Sequence, residues 1–517
     1  IARHCYDTLV KLDAENNIVG AAAESWESAP NAAGEKDMVW TFHLRPGAKW
    51  VDSTGAVIGD LKASDFVFAW KELLNPDNAA EYYAFAAIFK NAQAYYDYKS
   101  GKEGAPEVKW EDVGVKALDE NTIQFELEVY LPYLLQYLKF EVLSPICEEF
   151  YNKVGTDAYG TAPDKMAYSG AFYMTNWLTD NSITVVKNPN WWDAASVKLN
   201  KIVFVKYSDS NTKYNAFLGD EVDIIDITGE QRQMFSAEGY GVSSYIGGYS
   251  YYFQINTLEN GANEKYPEAK KSDMRSKSLR KAISCALDRR QIIDTVFKND
   301  NEPAQSFALG ITGVNTPTFA EAVVKENGAP LYSETADAAK AQEYLAEALK
   351  ELGYTDASQI DIALMTSEGT QNELLSQVVQ EQLRKVLGIE AKIDVLTITE
   401  ARSRRNKLNY DMFMGGWGPD YNDPMTDLDL WTSENGNNHT GYASAKYDAI
   451  IEATKTETDA AAREKLFVQA EQLIAEDMFI IPVYWRHEDY VASEKIASGA
   501  VRRSFQGYYL TYTTLAN

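Results

Sequence analysis

One short segment of the chain concentrates acidic and aromatic side chains: GGWGPDYNDPMTDLDLW, from Gly415 to Trp431. It contains four aspartates and two tryptophans. Carboxylates can pair with a cationic group, ligate calcium or work as an acid pair in hydrolysis, and aromatic faces accept apolar groups. The segment has neither helical nor strand periodicity, so we expect a loop that presents these groups to a ligand.

The spacing of the aspartates decides between some of these chemistries. Asp420 and Asn422 begin like a calcium-binding EF-hand loop. However, Met425 stands where that loop needs glycine and Trp431 where it needs glutamate, so an EF-hand is excluded. Two alternatives stay open. One is the acid pair of a hydrolase, and the other is a looser calcium site formed by Asp420, Asp423, Asp427 and Asp429.

Other signatures of catalysis or cofactor binding are missing from the sequence. The four histidines are scattered singly, without the H-E-x-x-H pattern of zinc proteases. The G-x-S-x-G pattern of esterases, the P-loop of NTPases and a dinucleotide-binding G-x-G-x-x-G after a strand are missing as well. We therefore predict no catalytic residue, no cofactor and no metal site.

The elements that position the acidic segment lie between about 336 and 417. Three segments with helical periodicity alternate there with three strand-like segments, and Gly353 and Gly388 close two of the helices. Alternating strands and helices predict a largely parallel open sheet with helical crossovers. Such sheets bind ligands beyond the carboxyl ends of their strands, where the segment from Gly415 begins.

Length and composition limit the classes of partner. The chain has 517 residues, of which 45% are hydrophobic, and a formal net charge of −27. More than one domain is expected, and no basic surface is available for nucleic acid or anionic lipid. The sequence has no run of 18 or more apolar residues that could span a membrane, and it begins at Ile1 in structured-looking sequence. We therefore expect that a leader or anchor has been removed.

Several motifs in a fixed order resemble the bacterial extracellular solute-binding proteins of family 5, the peptide/nickel type. The resemblance covers nearly the whole chain and is strongest to the oligopeptide-binding proteins of ABC importers. The motifs that carry it are CYDTLVKLD with AAAESWE, WTFHLRPGAKW with SDFVFAW, SGAFYMTNW with KNPNWWD, YYFQIN with SLRKAISCALDRRQI, and GGWGPDYNDP with IPVYW.

The resemblance implies an α/β fold of the two-lobed periplasmic-binding-protein type (type II, cluster C) with an additional domain. By the same resemblance, lobe I combines residues 1–20, 168–270 and 487–517. The extra domain is 21–167, and lobe II is 271–486.

In this family a peptide lies extended between the lobes and pairs its backbone with two segments of the protein. The resemblance assigns these segments to Tyr6, Asp7, Thr8 and Leu9 and to Gly415, Gly416 and Trp417. Such pairing is β-augmentation, and Gly418 would also allow another backbone to approach closely. Each glycine could equally serve an ordinary bulge or turn.

The resemblance also assigns side chains to the ligand. Asp420 matches the family aspartate that pairs with the peptide's α-ammonium, although it could instead cap the adjacent turn. Asn256 matches a polar contact, and Tyr252 lies on the same strand face. Met414 stands where some members have an arginine for a short peptide's carboxylate, so longer peptides are expected. Side chains that line pockets, line the hinge or belong to the core are Trp417, Trp431, Tyr484 and Trp485.

These observations predict a non-enzymatic extracellular receptor that captures oligopeptides and delivers them to an ABC permease. We expect a monomer without nucleic-acid partners, either a cell-surface lipoprotein or periplasmic, with membrane contact only through a removed N-terminal anchor. An oligosaccharide receptor of the same fold is the main alternative, because aromatic side chains also stack on sugars. An acid-pair hydrolase is the alternative from a different class.

Overall fold

The structure, a computed structural model, describes residues 1–13, 17–80, 82–309, 311–503 and 507–516. Its backbone divides into two compact units. The N-terminal unit consists of Ile1–Asp223 with Ala492–Asn517, and the C-terminal unit is Ile224–Val491. A division into two does not resolve the predicted three-part layout, which stays a prediction. Residues 224–270, which that layout assigned to lobe I, lie in the C-terminal unit.

The strands are short except for two in the C-terminal unit. In chain order they are β1 (Val10–Leu12), β2 (Ile18–Gly20), β3 (Ala23–Ala29), β4 (Val39–Leu44), β5 (Lys49–Val51), β6 (Val57–Asp60), β7 (Val115–Asp119), β8 (Thr122–Glu126), β9 (Phe172–Leu178), β10 (Ser182–Lys187), β11 (Lys201–Val205), β12 (Ile224–Ile227), β13 (Val242–Ile255), β14 (Glu302–Pro303), β15 (Ala363–Ser367), β16 (Lys392–Leu396), β17 (Met412–Trp417), β18 (Ile480–Ala492), β19 (Ile496–Ser498), β20 (Val501–Arg503), β21 (Gly507–Tyr509) and β22 (Thr514–Leu515).

The longer helices belong to the C-terminal unit. In chain order the α-helices are α1 (Ala2–Cys5), α2 (Ala63–Leu73), α3 (Ala92–Lys99), α4 (Leu134–Leu138), α5 (Glu148–Val154), α6 (Ser210–Leu218), α7 (Gly229–Ala237), α8 (Lys277–Ala286), α9 (Arg289–Ile292), α10 (Phe319–Asn327), α11 (Ala338–Leu352), α12 (Thr370–Leu387), α13 (Ile398–Asn406), α14 (Met425–Leu428), α15 (Ala445–Thr456) and α16 (Ala460–Asp477). Among the residues described above, no helix is both long and apolar enough to cross a membrane.

The N-terminal unit contains small antiparallel sheets. The largest has the strand order β3-β4-β8-β7, and a second has the order β11-β10-β9. The inward side chains of the first sheet form an aromatic core, because alternate residues of a strand point to the same face. Phe42 and Phe125 stack with ring centroids 5.7 Å apart, and Trp70 of α2 packs edge-on against Phe125.

The C-terminal unit is built on one seven-stranded mixed sheet with the order β12-β18-β13-β17-β15-β16, and β14 pairs with β18. β15 pairs in parallel with both β16 and β17, and α12 and α13 connect these strands along the chain as the alternating pattern predicted. β13 instead pairs antiparallel with β17 and β18. The expectation of a largely parallel sheet is therefore correct only for β15, β16 and β17.

The predicted helices of this unit end where the sequence indicated. α11 is followed by Gly353 and α12 by Gly388, both with left-handed backbone at φ values of 74° and 70°. The apolar faces of α8 and α12 pack onto the sheet, where Ile283 and Leu383 share a buried cluster with Leu364 of β15. This packing fixes the strand ends that the acidic segment follows.

Candidate ligand-binding site

The segment from Gly415 to Trp431 is a loop only in its middle part. Its first three residues complete strand β17, and Gly418–Pro424 contain no helix or strand. Met425–Leu428 form α14, which a single 3₁₀ turn, Asp429–Trp431, follows. The expectation of a continuous loop was therefore wrong for its second half, where two short helical turns bury the apolar side chains.

Strand β17 has one edge that is only partly covered. On one side, all of its residues pair with β13, from Met412 opposite Ile255 to Trp417 opposite Ser250. On the other side, β15 pairs only with Met412 and Phe413. Among the described strands, Met414–Trp417 therefore have no partner on the β15 side, and we call this stretch the open edge. Unpaired main-chain groups in an extended conformation are a template for an added strand.

The glycines in the open edge and directly after it make room for side chains of β13. A Cβ atom on Gly416 would lie 2.9 Å from the ring of Tyr251, and one on Gly418 would lie 2.7 Å from the ring of Tyr249. A Cβ on Gly415 would meet the Gln254 amide at 3.0 Å. Packing across the sheet thus requires small residues at Gly415, Gly416 and Gly418. The expectation that these glycines let a ligand backbone approach closely stays a prediction.

Thr426 holds the loop that carries Asp420. The indole N–H of Trp417 donates to the Thr426 carbonyl at 3.0 Å, and the backbone N–H of Asp420 donates to the Thr426 hydroxyl at 3.0 Å. Thr426 is buried, whereas Asp420 is partly exposed. The contacts fix the backbone of Asp420 beyond the end of β17. The role of Asp420 toward a peptide's ammonium group stays a prediction.

The other aspartates of the segment do not converge on a metal. Asp423 forms a buried ion pair with Arg463, at 2.5 and 2.9 Å. Burial raises the pKa of Asp427 well above its ordinary value and that of Asp429 to about 7. Within the described parts of the chain, no three acidic, histidine or cysteine side chains are grouped to hold a metal ion. The structure therefore does not group Asp420, Asp423, Asp427 and Asp429 as the loose calcium site would require.

Most of the aromatic side chains predicted to line pockets lie in the core. Tyr252 and Trp431 are 2% and 1% exposed and pack edge-to-face on each other, with ring centroids 5.5 Å apart. Tyr484 stacks on Tyr251 at 4.8 Å, and Trp485 is buried beside Ala304 and its neighbours. The burial of Trp431, Tyr484 and Trp485 matches the core alternative given for them, and a ligand contact of Tyr252 stays a prediction. Trp417 is partly exposed.

Asn256 is a structural residue. Its side-chain amide donates to the backbone carbonyls of Lys270, Leu408 and Tyr410 at 2.8, 3.0 and 3.1 Å, and its oxygen accepts the N–H of Leu258. The side chain is fully buried. These bonds occupy the amide and bridge backbone segments, and the expected polar contact of Asn256 with a ligand stays a prediction.

The N-terminal segment expected to pair with the ligand is already hydrogen-bonded within its own unit. The N–H groups of Tyr6 and Asp7 donate to the Ala2 carbonyl and the Ser169 hydroxyl. The Thr8 carbonyl accepts the N–H of Ala22, and the Leu9 carbonyl accepts the N–H groups of Ala21 and Ala23.

The side chains of Asp7, Thr8 and Leu9 are buried as well, and Tyr6 is partly exposed. The Asp7 carboxylate accepts the indole N–H groups of Trp191 and Trp192, both at 2.7 Å, and Leu9 is 1% exposed. Each of the four residues has one main-chain group occupied by hydrogen bonds within its own unit. The role of Tyr6, Asp7, Thr8 and Leu9 in receiving the ligand backbone stays a prediction.

The comparisons with known proteins agree with the fold. A sequence model of the bacterial extracellular solute-binding proteins, family 5 Middle, matches residues 17–439, more than half of the chain. The chain belongs to this family. The dipeptide-binding protein DppE of Bacillus subtilis is 28% identical over 502 residues, which cover 96% of this family 5 chain and 83% of DppE.

Two solved structures resemble this family 5 protein over its whole length. The substrate-binding domain of an oligopeptide ABC transporter from Bacillus anthracis is 29% identical, with a TM-score of 0.76, and the match covers 100% of this chain and 94% of that one. OppA of Listeria monocytogenes bound to peptide is 27% identical, with a TM-score of 0.75 and the same two coverages. The predicted family and the α/β periplasmic-binding-protein-like fold class are confirmed.

The residues that surround the open edge of this family 5 protein were not predicted from the sequence. Tyr249 is 38% exposed, Tyr251 is partly exposed, and the hydroxyl of Tyr251 accepts from Arg486 at 3.4 Å. Burial raises the pKa of Tyr249, with smaller contributions from neighbouring charges that include Asp420. The signal in the sequence was the pairing of tyrosines on one strand with glycines on another, which becomes visible only once the register is known.

Proposed function

We propose that this solute-binding protein is a non-enzymatic receptor that binds an oligopeptide as an added strand on the open edge of β17. Two observations carry the proposal. Among the described strands, Met414–Trp417 have no partner on the β15 side, and a partly exposed carboxylate, Asp420, follows them. Main-chain hydrogen bonds to such an edge give affinity that does not depend on the peptide sequence. The carboxylate would fix the position of the peptide's N-terminus.

The names of the similar proteins support peptide as the ligand class. DppE of Bacillus subtilis is a dipeptide-binding protein, the Bacillus anthracis structure belongs to an oligopeptide transporter, and the Listeria monocytogenes protein is bound to peptide. An oligosaccharide is less well supported, because the burial of Tyr252, Trp431, Tyr484 and Trp485 removes most of the aromatic faces expected to stack on sugars.

The proposal that no reaction is catalysed is supported by the state of the acidic side chains. Asp423 is neutralised by Arg463, and Asp427 is 1% exposed with both carboxyl oxygens lacking a hydrogen-bond partner among the described residues. Neither is placed to act with Asp420 as the acid pair of a hydrolase, which needs two carboxyl groups facing one substrate.

Peptide length and delivery follow from the same proposal. Met414 gives the open edge no cationic group for the carboxylate of a very short peptide, so the proposed ligands are longer oligopeptides. The receptor would be a monomer that delivers its ligand to the permease subunits of an ABC importer. It would act outside the cell membrane, as a lipoprotein held by an N-terminal anchor or as a periplasmic protein.

Calorimetry with matched peptides tests the proposal at Asp420. A peptide with a free N-terminus should bind, and its N-acetylated form should bind at least about tenfold more weakly, a difference of about 1.4 kcal/mol. In the Asp420→Asn variant, the affinity of the peptide with a free N-terminus should fall by a similar factor, while the affinity of the acetylated peptide should change little.

The control is Asp294→Asn, which removes an exposed carboxylate elsewhere in the C-terminal unit and should bind both peptides as the natural protein does. Equal affinities of the two peptides for the natural protein would remove Asp420 from its proposed role. Binding of oligosaccharides but not of any peptide would contradict the proposed ligand class.

A further inference from the structure

A row of apolar side chains runs along one face of the open edge. Residues directly opposite each other in a sheet point to the same face, and the register places Tyr251 opposite Gly416 and Phe253 opposite Met414. Tyr249 precedes Tyr251 by two residues, the spacing at which strand side chains share a face. We call Met414, Tyr251 and Tyr249 the Tyr251 row.

The two tyrosine rings of the row reach across β17 because glycines lie beneath them. A Cβ on Gly416 would lie 2.9 Å from the Tyr251 ring and one on Gly418 2.7 Å from the Tyr249 ring, so each ring occupies the place of a side chain. Tyr251 is held there by stacking on Tyr484, with the ring planes 3° apart. The centroids of the two rings in the row are 6.5 Å apart. A strand added at the open edge would therefore lie beside both rings.

The Tyr251 row offers accessible apolar surface rather than charge. Tyr249 is 38% exposed, and Tyr251 and Met414 are partly exposed. The Arg486 guanidinium beside the row donates to the Tyr251 hydroxyl at 3.4 Å and lies 3.6 Å from the Glu488 carboxylate, which offsets its charge. Aromatic rings that pack on each other gain more than the apolar area they bury. The row therefore favours aromatic and other large apolar side chains.

The opposite face of the open edge has a different character. Trp417 points to that face, and its indole N–H already donates to the Thr426 carbonyl at 3.0 Å. A Cβ on Gly415 would lie 3.0 Å from the Gln254 amide, so a polar group lies beside this glycine. Side chains of an added strand alternate between the two faces and pack against those directly opposite. Every second side chain of a bound peptide would therefore meet the Tyr251 row.

We propose that the receptor selects peptides in which the alternate side chains facing the Tyr251 row are aromatic or large and aliphatic. The inference rests on the function proposed above and adds the class of side chain that the site accepts. Asp420 follows Gly418 in the chain, so the proposed position of the peptide's N-terminus is at that end of the row. The first side chain of this set would contact Tyr249, and the next, two residues later, would contact Tyr251.

A phenylalanine scan of one alanine-rich host peptide tests the inference by calorimetry with the full chain. A single phenylalanine is moved through the host one position at a time, and the free N-terminus is kept. Near the N-terminus, phenylalanine should raise the affinity at least about fivefold at two positions that are two residues apart, and much less at the position between them. Aspartate at the same two positions should give no gain. Equal gains at all positions, or no gain at any, would overturn the inference.

Two variants assign the favoured positions to individual rings. Tyr249→Ala should remove the gain at the position nearer the N-terminus, and Tyr251→Ala should remove the gain two residues later. The control is Tyr240→Ala, at a tyrosine that is 40% exposed and packs on Phe235 of α7, and it should keep both gains.

The outcomes separate this inference from the function on which it rests. If the host peptide binds but both gains persist in Tyr249→Ala, the inference is wrong and the proposed function stands. If neither the host nor any scanned peptide binds, both are contradicted. Because Tyr249 is exposed, Tyr249→Ala keeps the test decisive if Tyr251→Ala does not fold.

Discussion

The Asp423–Arg463 ion pair ties the loop after β17 to helix α16. Both side chains are about nine-tenths buried, and two hydrogen bonds join them. We predict that Arg463→Met destabilises the protein by about 3–5 kcal/mol, because it leaves the Asp423 carboxylate buried without its partner. Urea unfolding measures this. Adding Asp423→Asn should recover part of the loss, and Arg404→Met, at a largely exposed pair with Glu400, should cost less than about 1 kcal/mol.

Glu471 makes the stability depend on pH. The side chain is fully buried and accepts the N–H groups of Phe307 and Ala308 at 2.9 and 2.8 Å. Burial raises its pKa from 4.5 to about 7. The folded protein therefore holds a proton that the unfolded chain releases above pH 4.5, so this contribution is present at low pH and is lost as the pH rises through about 7.

We predict that the free energy of unfolding falls by up to about 3 kcal/mol between pH 4.5 and pH 8 because of Glu471. Glu471→Gln should flatten this decline, and Asp429, whose pKa is also about 7, should account for part of the remainder. Urea unfolding at several pH values checks the slope, with the exposed Glu476→Gln as the control. Identical slopes for the natural protein and Glu471→Gln would contradict the assignment.

For single residues, the sequence could not reveal which polar side chains already have their hydrogen bonds within the protein. Asp420 could be placed beyond a strand end from its neighbours alone. Asn256, in contrast, is saturated by carbonyls at Lys270, Leu408 and Tyr410, which are distant in the chain. A motif match identifies the residue type, but only the packing of remote segments decides whether its hydrogen-bonding groups are available.

Among the elements, β17 is under the tightest packing constraint. Gly416 lies opposite Tyr251, whose ring stacks on Tyr484 and cannot move freely. We predict that Gly416→Ala destabilises the protein by about 1–3 kcal/mol, because its Cβ would lie 2.9 Å from that ring. Thermal unfolding measures the loss.

Gly436→Ala is the matched control, since a Cβ there meets no atom within 4 Å. The double variant Gly416→Ala with Tyr251→Ala should cost less than the sum of the two single changes, because the clash is relieved. If Gly416→Ala is as harmless as Gly436→Ala, the ring does not set the need for glycine, and the open edge can accept a side chain.

Some helices could be predicted from the sequence, whereas the roles of two central strands could not. Helices α11 and α12 could be predicted because periodic apolar residues end at Gly353 and Gly388. The roles of β13 and β18 could not, because each strand contains a long buried stretch, and an apolar run does not show which face or edge stays accessible. Tyr484 and Trp485 were therefore considered as pocket residues although they belong to the core.

For the whole molecule, the family resemblance implies closure of the protein around its ligand. We predict that the radius of gyration from X-ray scattering is smaller with a saturating oligopeptide than in a sample verified to be free of ligand. The peptide should also raise the melting temperature, since it binds only the folded state. Superimposable scattering curves from the two verified samples would contradict closure.

The most direct test of strand addition at β17 is the affinity of one oligopeptide and of its analogues methylated at single backbone nitrogens. An added strand presents alternate main-chain groups to its partner. Methylation at every second position near the N-terminus should therefore weaken binding at least about tenfold in calorimetry, and methylation at the positions between them should have much less effect. A loss that is uniform along the peptide, or no loss at any position, would contradict strand addition at the open edge of β17.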